Sequence, residues 1–95
     1  MARKYEAIYI LNPALGEEAV QATSEKIQAL FESAATVEKI DVWGRRRLAY
    51  EINDQKEGYY VLIDFSAEAE FPKELERVLK ITEGVMRYLV VRTDD

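Results

Sequence analysis

The chain contains no cysteine and no histidine. The first absence rules out disulfides and thiolate metal sites, so a disulfide-stapled secreted scaffold is not what these residues build. The second removes the commonest general base and the commonest metal ligand. No Ser-His or Cys-His pair can form. The four glycines are scattered and make no phosphate-cradling loop. No apolar run approaches the ~20 residues needed to span a bilayer. The start, Met1 to Tyr5, lacks the roughly 7–15-residue apolar stretch of a signal peptide. A soluble cytoplasmic protein is expected, with no membrane partner.

What is present suits a packed domain. The 95 residues fit one domain, 1–95, and 48% of them are hydrophobic, with six Tyr, three Phe and one Trp. A disordered chain would hold fewer. The net charge is −5, which by itself argues against nucleic acid. The average hides segregation. Residues Arg3 to Leu11 carry net +1, Gly44 to Tyr50 net +3 and Val85 to Thr93 net +2, leaving −11 for the remainder. Such a protein can offer a basic edge to phosphate while its acidic elements face away.

Alternation of side chains predicts a strand over Arg3–Leu11, with Tyr5, Ala7, Tyr9 and Leu11 inward and Ile8 and Ile10 outward. Asn12-Pro13 breaks it. A helix opens at Gly16-Glu17-Glu18, acids in its first turn, and runs to about Ser33, with Val20, Ile27, Leu30 and Phe31 at helical spacing. Thr36–Ile40 and Arg46–Ile52 read as strand, interrupted around Asp41–Gly44. This is either one long strand with a bulge or two short ones. Asn53 to Gly58 is turn chemistry and predicts a hairpin into a strand over Tyr59–Phe65. Phe71, Leu75, Val78, Leu79 and Thr82 mark a second amphipathic helix, with Pro72 in its first turn and Gly84 as its cap. Val85–Arg92 is the last strand. The order β-α-β-β-α-β predicts an α+β, ferredoxin-like two-layer sandwich, a four-stranded antiparallel sheet with two helices on one face.

The uncovered face is then the informative surface. Both parities of the first, third and last strands carry apolar residues, so alternation alone does not decide the inward set. With the inward set above, Ile8, Ile10, Tyr60, Leu62 and Leu89 face out as candidate partner-binding residues, since an exposed apolar patch on a small domain marks a contact surface. The competing reading is ordinary scattered exposure or a homodimer.

Arg45-Arg46-Arg47 is the sharpest local feature. Guanidinium forks bind phosphate and stack on bases. Alternation prevents the three from forming one patch. The blander reading is a charge run guarding an edge strand. Gly58 to Phe65 has the look of an RNA-recognition strand, but Glu57 and Tyr60 stand where that motif is basic and small, so a core strand with one exposed Tyr is the better reading. Trp43 reads as a packing anchor or loop cover. Glu17-Glu18 and Asp94-Asp95 are helix-start and terminal charges, neither a catalytic dyad nor a metal site. No catalytic constellation, metal site, cofactor or small-molecule substrate is expected. A phosphatase on this fold would need an Arg in a phosphate cradle and a water-orienting Asn; Asn12 has no such cradle around it. A protein-interaction or ligand-sensing module burying the open face remains the alternative.

The run Ile10-Leu11-Asn12-Pro13, the segment Gly44-Arg45-Arg46-Arg47-Leu48-Ala49-Tyr50, Gly58-Tyr59-Tyr60 and the ending Gly84 to Arg92 resemble the bacterial small-subunit ribosomal protein number six family. The resemblance covers essentially the whole chain, and its Gly-x-Arg-x-Leu-Ala-Tyr pattern is specific. It implies a ferredoxin-like fold and a structural, non-enzymatic place in the small (30S) ribosomal subunit, in the cytoplasm. It also implies binding to the central domain of 16S rRNA together with small ribosomal protein number eighteen. Arg46 and Arg47, Arg87, Arg3 and Lys4 match family positions and become candidate RNA contacts; Arg45 and Arg92 join them from the charge pattern. Many members extend past the last strand, whereas this chain ends at Asp95.

Overall fold

Seven segments alternate along the chain: β1 (Arg3–Leu11), a 3-10 turn (Pro13–Leu15), α1 (Glu17–Ala34), β2 (Ala35–Ile52), β3 (Gln55–Ala67), α2 (Glu70–Ile81) and β4 (Val85–Arg92). The computed structural model describes residues 2–52 and 55–93, with side chains described for 2–48 and 56–93. The strands form one sheet in the order β2-β3-β1-β4, and all neighbours are antiparallel. β1 and β2 therefore run the same way with β3 between them. A hairpin cannot join strands so placed, and α1 makes the crossover. The expected ferredoxin-like sandwich is the observed one.

The core lies between the helices and one sheet face. Ala7, Tyr9 and Leu11 of β1 and Val61, Ile63, Phe65 and Ala67 of β3 are buried there, so the inward parity is the one assumed above. α1 buries Val20, Ser24, Ile27 and Phe31, and α2 buries Phe71, Leu75 and Leu79, each at spacings of three or four that keep one stripe on the sheet. Phe31 sits at the centre, edge-on to Phe65 at 4.8 Å and to Phe71 at 5.5 Å between ring centroids. Edge-to-face packing of this kind adds roughly 0.5–1.5 kcal/mol per pair beyond burial.

One local alternative is decided and two local expectations are revised. β2 is one continuous strand through Asp41–Gly44, carrying register shifts at Val37/Lys39 and Val42/Gly44. Gln55 to Gly58 belong to β3 rather than to a turn: Ile52 already pairs with Gln55, so backbone pairing overrides the turn-like composition. Residues 53 and 54, and the side chain of Tyr50, lie outside the described residues. α2 ends at Ile81 with Thr82 as its cap, and the Thr82 hydroxyl folds back onto the Val78 carbonyl. Gly84 comes two residues later and ties the sheet end together, its carbonyl accepting from the Asn12 N–H at 2.7 Å.

Candidate functional site

The helices leave the other sheet face open. Strand pairing fixes its rows. Asp41, Leu62, Ile8 and Leu89 lie side by side across all four strands. The next row is Gly44, Tyr60, Ile10 and Arg87. Ile8, Tyr60 and Leu62 are half-buried, and Leu89 is 57% exposed. Ile10 is buried although it lies on this face. The reason is Gly58. A Cβ there would stand 2.3 Å from Ile10 Cγ2 and 3.2 Å from Leu48 Cδ2, so the missing side chain lets these two pack over bare backbone. Leu48 is thus buried, in a small cluster on the open face rather than in the core under the helices.

The bulge at Val42/Gly44 decides where the arginines go. A one-residue insertion reverses the faces of everything beyond it. Gly44 accepts the distortion with φ at 76°, in the left-handed region. Beyond the bulge Arg46 pairs with Gly58 and shares the open face, while Arg45 pairs with Tyr59 and Arg47 with Glu57 on the helix side. Arg45 confirms this independently. It lines a groove of about 570 Å³ between α1 and β2, with Val20, Ser24, Gln28, Val42 and Tyr59. Its Nε is also 3.1 Å from a Glu57 carboxylate oxygen, an exposed pair that stabilises by no more than about 1 kcal/mol. Arg46 instead donates from Nε to the Trp43 carbonyl at 3.2 Å.

The seven candidate basic residues therefore divide. Arg45, Arg46, Arg47 and Arg87 gather at the Leu11 end of β1. Arg3 and Lys4 start β1, and Arg92 pairs with Tyr5 at that same opposite end. Seven residues of strand separate Arg3 from Ile10, about 23 Å at ~3.3 Å per residue. By alternation Lys4, Arg46 and Arg87 share the open face, and Arg3, Arg45, Arg47 and Arg92 lean to the helix side. Sequence reasoning read Trp43 as a packing anchor or loop cover and did not place it in a bulge. It is the extra residue of the bulge, 41% exposed, and stacked on Tyr60 at 5.9 Å with planes 20° apart. The signal was Gly44 immediately after it, a residue suited to a bulge.

Asn12 is not placed to orient a water for phosphate chemistry. Its side-chain oxygen accepts from Ala14 N–H at 2.9 Å and caps the 3-10 turn. Among the described residues no group of three or more acidic side chains could hold a metal ion, and no helix is long and apolar enough to cross a membrane. The Tyr9 hydroxyl is buried and unpaired among the described residues. Burial pushes its phenol up to about 12, and nearby Ser24 relieves only part of that shift, since the two groups fall short of hydrogen-bond geometry.

Comparison with known proteins settles what this open-faced sandwich is. The family described as Ribosomal protein S6 matches residues 4–92. The chain belongs to the ribosomal protein S6 family. The small ribosomal subunit protein bS6 of Clostridium novyi (strain NT) is 54% identical over 93 residues, covering 97% of this chain and 98% of that one. Its counterpart in Clostridium botulinum (strain 657 / Type Ba4) is 50% identical over 90 residues, 94% and 96% of the two chains. The crystal structure of 30S ribosomal protein S6 from Thermotoga maritima superposes with a TM-score of 0.90 at 28% identity, over 98% of this chain and 89% of that one. An uncharacterized protein from Thermotoga maritima shares the fold alone, at 14% identity and a TM-score of 0.66. The S6 family is structural and not enzymatic, and it serves the small ribosomal subunit in the cytoplasm.

Proposed function

We propose that this S6 family member acts as one RNA-binding domain, holding the central domain of 16S rRNA jointly with small ribosomal protein number eighteen. The observation that carries the reading is the open sheet face: an apolar row of Ile8, Leu62 and Leu89, cations at both ends, and the acids Glu6, Asp41 and Asp64 between them. Ile8, Leu62 and Leu89, with Tyr60 beside them, offer the protein partner an apolar row of the kind that marks contact surfaces, whereas Ile10 is buried and drops out of the expected contact set. Arg46 and Arg87 at one end and Lys4 at the other share that face for phosphate. Arg3, Arg45, Arg47 and Arg92 would meet RNA only where it wraps past the sheet edge.

The division explains the acidic balance. A chain of net charge −5 is a weak RNA binder alone, and a basic partner on its open face supplies the remaining attraction. With about three to five phosphate contacts, log affinity falls against log salt with a slope near −3 to −4. Filter binding of the rRNA junction by this chain, by the partner and by the pair tests the reading. The pair is expected to bind far more tightly than this chain alone. Equal affinities would end the cooperative model.

A further inference from the structure

A large aromatic residue left 41% exposed in a well-packed domain needs a reason. Trp43 is placed where it is by a β-bulge, and bulges recur where a side chain must be re-aimed. The bulge lays the indole against the Tyr60 ring, so each ring stiffens the other and the outward ring surface is presented without loss of side-chain freedom on binding. Arg46 is fixed at the same spot by its bond to the Trp43 carbonyl. That bond uses Nε, so the guanidinium is anchored at its inner nitrogen. Tyr60, Ile10 and Arg87 continue the row across the sheet.

We propose that Trp43 and Tyr60 form a stacking platform for one unpaired nucleobase, with Arg46 holding the adjoining phosphate. The inference rests on the RNA-binding reading and deepens it, moving Tyr60 from the protein contact to the RNA contact. Charge favours RNA over a second polypeptide as the occupant. Arg46 repels a basic ribosomal partner at this end of the face and attracts phosphate, and every base has a ring face to stack. Asp41, one row further in on the same face, confines the phosphate to the Arg46 side.

Trp43 is the chain's single tryptophan, so its fluorescence reports on the platform directly. The experiment titrates the full chain, and the full chain with its partner, with a fluorescein-labelled single-stranded RNA of about ten nucleotides, within the span such sites cover, and with the rRNA junction. Stacking is expected to quench the Trp43 emission. Trp43→Leu is expected to weaken RNA binding roughly 5- to 150-fold, the loss of one stacked base, without changing the salt slope. Arg46→Ala is expected to lower that slope by about 0.7, one single-strand phosphate. Trp43→Phe, which keeps a ring, is expected to restore most of the affinity and guards against a folding artefact. Unquenched emission, with Trp43→Leu binding as the parent does, overturns the platform and leaves the RNA reading standing. A Trp43→Leu loss confined to partner binding also overturns it, making the surface a protein contact. If neither the chain nor the pair binds RNA, both readings fall together.

Discussion

The two faces of this sheet are built from the same strands and both carry large apolar residues, yet only one is sealed. Tyr9, Val61, Ile63 and Phe65 on the helix side are wholly buried, whereas their immediate neighbours Ile8 and Leu62 are half-covered and Leu89 stands 57% exposed. Composition separates the faces only in part, since Lys4, Glu6, Asp41, Asp64 and Arg87 stand on the open side; the crossovers complete the division. α1 and α2 cover one side and leave the other open. The helix side should thus answer to stability measurements and the open side to binding measurements.

Phe31→Ala tests the sealed side hardest. It removes the ring that packs edge-on to both Phe65 and Phe71, and its cost should be about 3–5 kcal/mol in urea unfolding. A loss below about 1 kcal/mol would mean the two layers are far looser than the packing shows.

Tyr9 gives the sealed side a pH signature. Its phenol is raised from 10.0 to about 12 by burial, so the folded state resists ionisation that the unfolded state allows. The contribution is whole below pH 10 and drains away as pH climbs from 10 towards 12, on the order of 2–3 kcal/mol. Thermal melts of the parent and Tyr9→Phe across that range should diverge, with the variant flatter. Because the hydroxyl has no partner among the described residues, Tyr9→Phe should cost nothing near neutrality. Parallel curves would show that Tyr9 reaches solvent.

Gly58→Ala asks whether the open face is packed anywhere. The added methyl would meet Ile10 at 2.3 Å and Leu48 at 3.2 Å, and the repacking should cost about 1–3 kcal/mol. A cost under about 0.5 kcal/mol, the level of an ordinary surface change, would show that the Ile10–Leu48 contact is loose and that this end of the face is as open as its centre.

The helix side was legible from sequence because two periodicities met there. Phe31 and Leu75 follow the helical repeat and Tyr9 and Phe65 the strand repeat, so each element declared its buried side. The order of elements then left one arrangement. The basic site was less legible. Nothing in Arg45-Arg46-Arg47 says which one reaches the open face, because the answer depends on a bulge three residues upstream. The 41% exposure of Trp43 is not legible in sequence either, since exposure is a property of the whole sheet and not of its neighbours in the chain. The strand over Gln55–Gly58 was hidden by residues that also suit turns, and only pairing with β2 selects the strand.

Leu89→Ala should have the smallest effect on stability and so draws the comparison most cleanly. The side chain lies in the Asp41–Leu62–Ile8–Leu89 row but projects mostly into solvent. Truncating it removes little buried surface, so unfolding should shift by no more than about 0.5 kcal/mol. If the open face receives the protein partner, the same change should weaken that association by more than about 1 kcal/mol, roughly fivefold or more, as truncation at an interface anchor does. Calorimetric titration of small ribosomal protein number eighteen into parent and variant measures it. Unchanged affinity with unchanged stability would place the partner elsewhere and leave the row as scattered surface. A homodimer would instead appear as self-association of the parent that the variant loses, read by sedimentation without any partner present.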